Sequence, residues 1–120
     1  MSEVTFTALR TETAQESVDR QMNAWREIAG RRERLLRLLQ NRDFQELIMK
    51  FFVVEEAARY IQFACQPGAA AQDRADSLAM AQATGHFKRF LDVVERQGEQ
   101  ALASLAEHLA NYEDLVRGEG

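Results

Sequence analysis

The sequence predicts an all-α protein, a long antiparallel helical hairpin of three helices with a kinked first arm. The 120 residues include one proline and six glycines but are 46% hydrophobic, a composition that favours long helices over a turn-rich β protein. Residues 73–116 contain no proline and end on apolar residues spaced alternately three and four apart, the spacing of one helix face. A helix of that length would extend about 66 Å. We expect a single domain, residues 1–120. Because the long helix exceeds the width of a 120-residue globule, part of it must be covered by an unusual contact surface.

The first helix is predicted for about residues 13–40. Thr11 and Thr13 are both good N-caps, and Glu16 is suited to the first helical turn. Residues 1–10 show no periodicity, and we expect them to form a flexible or partner-bound arm. One face of the helix carries a stripe, with Ile28 and Leu35 beside it, made of Val18, Met22, Trp25, Ala29, Arg32, Leu36 and Leu39.

The second helix is predicted for about residues 43–66, between a break at Asn41 and the helix-ending pair Pro67-Gly68. This helix carries a wide apolar surface made of two adjacent stripes, and a surface of that width needs two neighbouring helices to cover it. We expect the thiol of Cys65, which lies on that surface, to be buried and inert. The surface consists of two stripes side by side, Leu47, Phe51, Val54, Ala58, Ile61 and Cys65 in the first, and Phe44, Ile48 and Phe52 in the second.

The third helix is predicted for about residues 73–117, with Asp73 as its N-cap. Its apolar stripe has two halves, which join only through a stutter at Gly98. We expect Gly98 and Gly85 to lie either on the surface or at a close helix contact. The first half is Ala83, Phe87, Phe90 and Val94, and the second is Leu102, Leu105, Leu109, Tyr112 and Val116.

Two architectures fit these helices. In a compact three-helix bundle the first helix folds back at Asn41, whereas in the long hairpin it continues past a kink roughly in the direction of the second helix. Charge favours the hairpin, because residues 26–42 carry six arginines and two glutamates whereas residues 91–120 carry seven acidic residues and two arginines. The hairpin would bring these segments together, within or between subunits, with the candidate pairing residues Arg31, Arg32, Arg34, Glu107, Glu113 and Asp114.

No catalytic, cofactor or metal motif is present. Neither His86 nor His108 follows a glutamate at the Glu-x-x-His spacing of di-iron bundles, and the longest apolar run, residues 51–54, is far too short to cross a membrane. Nucleic-acid binding through the arginine cluster is disfavoured, because Glu33 interrupts the cluster and the net charge is −4. We therefore expect no enzymatic activity and no cofactor, and self-association or another protein partner instead. The candidate interface residues are Leu102, Leu105, Leu109, Tyr112, Val116, Phe44, Ile48 and Phe52.

A pattern from Leu35 to about Val94, half to two thirds of the chain, adds a family resemblance. It comprises LLRLLQNRDFQELI at residues 35–48, EEAARY at residues 55–60, Pro67, and GHFKRF at residues 85–90. The chain in this respect resembles a group of small helical proteins of tailed bacteriophages, encoded near virion structure and assembly genes. The resemblance implies a structural, scaffolding or assembly role and transfers no site residues.

We therefore expect a non-enzymatic phage virion or morphogenesis protein that acts through helix–helix contacts. The alternative is a small phage effector that binds and inhibits a host protein. Either would be found in the cytoplasm of the infected bacterium, the first also in the virion. The single cysteine agrees with a reducing compartment.

Overall fold

Three helices and no strand make up residues 12–119, the part of the chain that the computed structural model describes. Helix α1 is Ala14–Leu39, helix α2 covers residues 42–64, and helix α3 is Ala71–Glu119. The predicted all-α helical hairpin is confirmed. The predicted arm of residues 1–10 lies outside the described residues.

Side-chain caps start the first two helices where the sequence places them. The hydroxyl of Thr13 accepts a hydrogen bond from the backbone N–H of Glu16 at 3.1 Å, and Asn41 Oδ1 accepts one from the N–H of Phe44 at 2.9 Å. Both bonds satisfy amides that have no partner inside the helix. The predicted N-cap role of Asp73 is wrong, because α3 begins at Ala71. Asp73 lies instead in the first turn, where its carboxylate faces the positive end of the helix dipole.

The first two helices follow one another along α3 rather than lying side by side. Trp25 of α1 packs edge-on against His108, near the carboxyl end of α3, and Phe52 of α2 packs edge-on against Phe87 in its first half. The compact three-helix bundle is therefore not formed. The chain measures 75 × 44 × 21 Å, with a radius of gyration of 23.4 Å, whereas a compact domain of this length would have about 14 Å.

Helices α1 and α2 together form the arm that lies along α3. This arm bows away from α3 at the break between the two helices. Twenty residues separate Phe52 from Arg32 on the arm, but only eleven separate their neighbours Phe87 and Gly98 on α3. The surplus chain is accommodated by the turn at Gln40 and Asn41. If the pairing simply continued from the turn at Pro67, residues whose numbers sum to about 140 would face each other, and Trp25 would lie near residue 115. Trp25 packs against His108 instead, so α1 lies about two helical turns closer to the start of α3.

The stripe of α3 that faces the arm differs from the predicted one. Ala83 and Phe90 are exposed, and no stutter occurs at Gly98, which is itself buried. A Cβ on Gly98 would overlap the Cβ of Arg32 and lie 2.7 Å from its Cδ, so this glycine permits the close approach of α1 and α3. Gly85, in contrast, faces open space. The observed inner stripe, spaced alternately three and four throughout, is Thr84, Phe87, Leu91, Val94, Gly98, Ala101, Leu105 and His108.

Helix α2 changes its winding along its length. It is α-helical at Arg42–Phe44, π-helical at Gln45–Glu56, and α-helical again at Ala57–Ala64. A π-helix needs close to one more residue per turn than an α-helix, so the residues that share one side recur at a longer spacing than the alternating three and four of an α-helix. The inward side accordingly carries Phe44, Ile48, Phe52, Glu56, Tyr60 and Ala64.

Candidate functional site: two open helix faces

The first open face is the outer stripe of α2, which we define as Leu47, Phe51, Val54, Ala58 and Ile61. The four large side chains are between 45% and 60% exposed, although their spacing is that of a buried helix face. Leu47 and Phe51 also border a shallow hollow of 850 Å³ on the surface of the π-helical segment. No residue of Gln45–Glu56 is buried. This face is therefore available to another protein.

The other predicted stripe of α2 is largely covered by the chain itself. Phe44, Ile48 and Phe52 are half-buried, and the Phe52 ring lies 6.1 Å from that of Phe87. As partner-binding residues these three remain a prediction, but the structure turns them toward the inside of the hairpin. Of the two adjacent stripes, the outer one offers the larger apolar surface.

The second open face is the C-terminal stripe of α3, the predicted set Leu102, Leu105, Leu109, Tyr112 and Val116. Leu105 is half-buried because it also belongs to the inner stripe. The other four are between 45% and 63% exposed. The carboxyl half of α3 thus has two neighbouring apolar sides, one against α1 and one without cover in this chain. Helices with such a wide apolar surface are typical of bundles with more than two members.

The predicted pairing between the arginine cluster and the acidic end of α3 does not occur within the chain. Arg31 binds Glu27 on its own helix at 3.1 Å, while Glu113 and Asp114 both bind Arg117 on theirs, at 3.8 and 3.9 Å. The shift of α1 by two turns along α3 explains the difference, since it moves the cluster away from those carboxylates. Pairing of the same groups between subunits remains a prediction.

Arg32 makes the ion pair that connects α1 to α3. Its guanidinium lies 3.7 Å from the carboxylate of Glu99, and its aliphatic part packs on Gly98. The buried Arg32 Nε has no hydrogen-bond partner. Together with the Arg31–Glu27 pair, this leaves Arg34 as the exposed arginine of the cluster without an ion-pair partner among residues 12–119. The cluster is therefore not a continuous basic face of the kind that nucleic-acid backbones require.

A further polar contact lies on α2. Arg59 donates to both carboxylate oxygens of Glu56, at 3.0 and 2.6 Å, and its guanidinium stacks 4.9 Å from the centre of the Tyr60 ring. The hydrogen bond from Arg59 lowers the pKa of Glu56 below the ordinary carboxyl value. This arrangement fixes side chains on one helix and assembles no reactive group.

The remaining side chains of types that serve in catalysis or metal binding do not lie together. The expectation of a buried Cys65 is wrong, because the residue caps α2 and is exposed. His86 is exposed, and His108 is half-buried beside Trp25. Within residues 12–119 no group of three or more His, Cys, Asp or Glu side chains could hold a metal ion. No helix in that range combines the length and apolar content needed to cross a bilayer.

Comparison with protein-family models, with curated proteins and with solved structures gives no match.

Proposed function

We propose that this chain is a non-enzymatic structural or morphogenesis subunit of a tailed bacteriophage, which works by helix–helix contacts with other protein chains. The observation that carries the proposal is the pair of open apolar faces, the outer stripe of α2 and the C-terminal stripe of α3. The phage assignment is supported by the sequence pattern of residues 35–94 alone.

The small core supports an obligatory partner. Among residues 12–119, the buried apolar side chains are those of Met22, Leu35, Ala64, Leu91 and Ala101. The chain exposes 9546 Å², whereas a compact monomer of this mass would expose roughly 6,600 Å². A standard protein interface removes about 800 Å² from each partner, so even half of the excess area would suffice for one.

The positions of the faces favour an extended assembly. The outer stripe of α2 lies beside the first half of α3, where Ala58 and Ile61 share a groove with Ala81. The C-terminal stripe of α3 is centred near Leu109, some 28 residues further along the helix, or about 42 Å away. One subunit can therefore contact two different neighbours at once, as subunits of extended assemblies do.

Light scattering coupled to size exclusion tests this proposal over a concentration series of the purified chain. We expect an oligomer, and the double variant Leu102→Asp/Leu109→Asp should dissociate it while far-ultraviolet circular dichroism still reports helix. The double variant Gln97→Asp/Gln100→Asp, which adds the same charge at two other exposed positions of α3, is the matched control. A monomer at every concentration would contradict self-association. Leu105 is unsuitable for this test because its substitution would also disturb the contact with α1.

The phage role has a separate test. A virion or morphogenesis protein should be found in purified particles or in assembly intermediates, and its loss should leave incomplete particles. The alternative, an effector that inhibits a host protein, is favoured by the exposed acidic and aromatic end of α3 around Tyr112, Glu113 and Asp114. That alternative predicts complete particles without the protein, together with stoichiometric inhibition of a purified host protein.

A further inference from the structure

A third feature lies along the exposed side of α3, where Glu99 reaches Arg32 of the arm. We call it the outer row. Its eight positions are spaced alternately four and three, so they form one continuous line along the helix. All eight are exposed, while Gly98 and Ala101 on the opposite side of the same turns are buried. The outer row is Asp92, Arg96, Glu99, Ala103, Ala106, Ala110, Glu113 and Arg117.

The order of charges along the outer row complements itself when the row is reversed. If a second α3 runs antiparallel with Ala103 opposite its Ala106, then Arg96 lies opposite Glu113 and Asp92 lies opposite Arg117. Each pair occurs twice across a two-fold axis, which gives four opposite-charge pairs. Glu99 falls opposite Ala110, so no like charges face each other. A parallel arrangement in register would place every charge against its own copy.

We propose that a second copy of this chain docks on the outer row, antiparallel and with a two-fold axis near residues 104 and 105. This inference rests on the proposed function and adds a third contact surface to its two open faces. Ala103, Ala106 and Ala110 allow the two helix backbones to approach closely, because alanine is the smallest side chain that still favours a helix. Leu102 and Leu109, which flank the alanines and are exposed, add apolar area on one side of the contact.

Most charges of the row are unpaired or loosely paired, and Glu99, which is bound to Arg32 of α1 at 3.7 Å, needs no counterpart because it falls opposite Ala110. Arg96 has no ion-pair partner among residues 12–119. The pair between Arg117 and Glu113 is loose, at 3.8 Å, and that between Asp92 and Lys88 measures 3.4 Å. Over residues 92–117 the row is about 38 Å long, and α1 packs on the other side of the helix. Two hairpins can therefore meet back to back without moving their arms.

Charge reversal tests the register directly. In Arg96→Glu, two attractive pairs become two repulsive ones. We therefore expect the dimer dissociation constant to rise at least tenfold, as measured by sedimentation velocity in a dilution series at low salt. Glu113→Arg should do the same, and the double variant Arg96→Glu/Glu113→Arg should restore the parent affinity. Arg89→Glu is the matched control, because Arg89 continues the row but has no charged residue of the row as its counterpart in this register. Equal affinities for parent and single variants would overturn the proposed interface.

Cysteine cross-linking tests the orientation. In a Cys65→Ser background, chains with Ala103→Cys and chains with Ala106→Cys should form disulfide-linked heterodimers when mixed and oxidised, since their Cβ atoms would lie within bonding reach. A chain with Arg96→Cys should not cross-link to itself in the antiparallel arrangement. Efficient self-linking of Arg96→Cys would overturn the antiparallel register. If the parent oligomerises while the charge variants have no effect, this interface is wrong and the proposed function stands. If the parent is monomeric at every concentration, this interface and self-association both fail, while the phage role is still decided by its own test.

Discussion

The two halves of the hairpin carry similar apolar stripes, but one half buries its stripe and the other leaves it exposed. Where α1 meets α3, side chains interlock around buried Leu35, Leu91 and Ala101, and Arg32 presses onto Gly98. Where α2 follows α3, the π-helical segment Gln45–Glu56 buries no residue at all. Small residues on α3 make the first contact close, whereas the winding of α2 turns its best apolar stripe away from α3. An apolar stripe therefore indicates that a helix needs a neighbour, but not that the neighbour belongs to the same chain.

The largest expected difference is between substitutions of two leucines, one in each half of the hairpin. Leu35 is 6% exposed and Leu47 is 60% exposed. Leu35→Ala should lower the free energy of unfolding by about 2–5 kcal/mol, because it leaves a cavity. Leu47→Ala should change it by less than about 0.5 kcal/mol when measured below the concentration of assembly. Urea denaturation followed by circular dichroism measures both. Equal losses would mean that the outer stripe of α2 is covered within the chain.

The next effect concerns two glycines of α3. Gly-to-Ala substitution inside a helix normally stabilises by about 1 kcal/mol, and Gly85→Ala should do so because its Cβ would enter open space. Gly98→Ala should instead destabilise by about 1–3 kcal/mol, since the new Cβ would overlap Arg32 and force the helices apart. Thermal unfolding of the two variants beside the parent protein gives the comparison. Stabilisation by both would contradict the close contact of α1 and α3.

The smallest effect is electrostatic and lies on α2. Because Arg59 lowers the pKa of Glu56 in the folded chain, this contact stabilises the fold above the ordinary carboxyl range. Its contribution is lost as pH falls through that range toward the lowered pKa. In Arg59→Met, the pKa of Glu56 measured by NMR titration should rise toward its ordinary value, with a slight change in stability near neutral pH because the Arg59 end of the pair is exposed to solvent. An unchanged pKa of Glu56 would show that the hydrogen bonds do not persist in solution.

Much of the fold was predictable from local patterns. The stripe of α1 from Met22 to Leu39 faces α3 as its spacing indicates, although Val18 is exposed. The caps at Thr13 and Asn41 and the turn at Pro67 also lie where those residue types predict. These features depend on contacts between residues close in sequence, which single-sequence rules capture best.

The inner stripe of α3 and the orientation of α2 were not predictable in the same way. Thr84, Gly98 and His108 occupy the inner stripe although they are not hydrophobic, so a search for apolar spacing selects Ala83 and Phe90 instead. Thr84 can be buried because its hydroxyl donates to the backbone carbonyl of Ala81 at 2.7 Å. The register of α1 depends on how far the arm bows at Asn41, which no local pattern specifies.

The candidate site was predictable in part. The exposed Leu102, Leu109, Tyr112 and Val116 belong to the apolar stripe that the spacing predicts. The outer row is hard to recognise from the sequence, because its alanines and alternating charges resemble an ordinary solvated face. A search for rows that complement themselves on reversal would have found it from the sequence.

The measurement that tests the central claim most directly is the thermal unfolding midpoint as a function of chain concentration. If the open faces complete the fold through association, the midpoint should rise steadily with concentration, because association stabilises the folded chain by mass action. An unfolding midpoint that stays constant over a hundredfold range, with a monomer throughout, would show that the hairpin is complete without a second copy and would contradict the account.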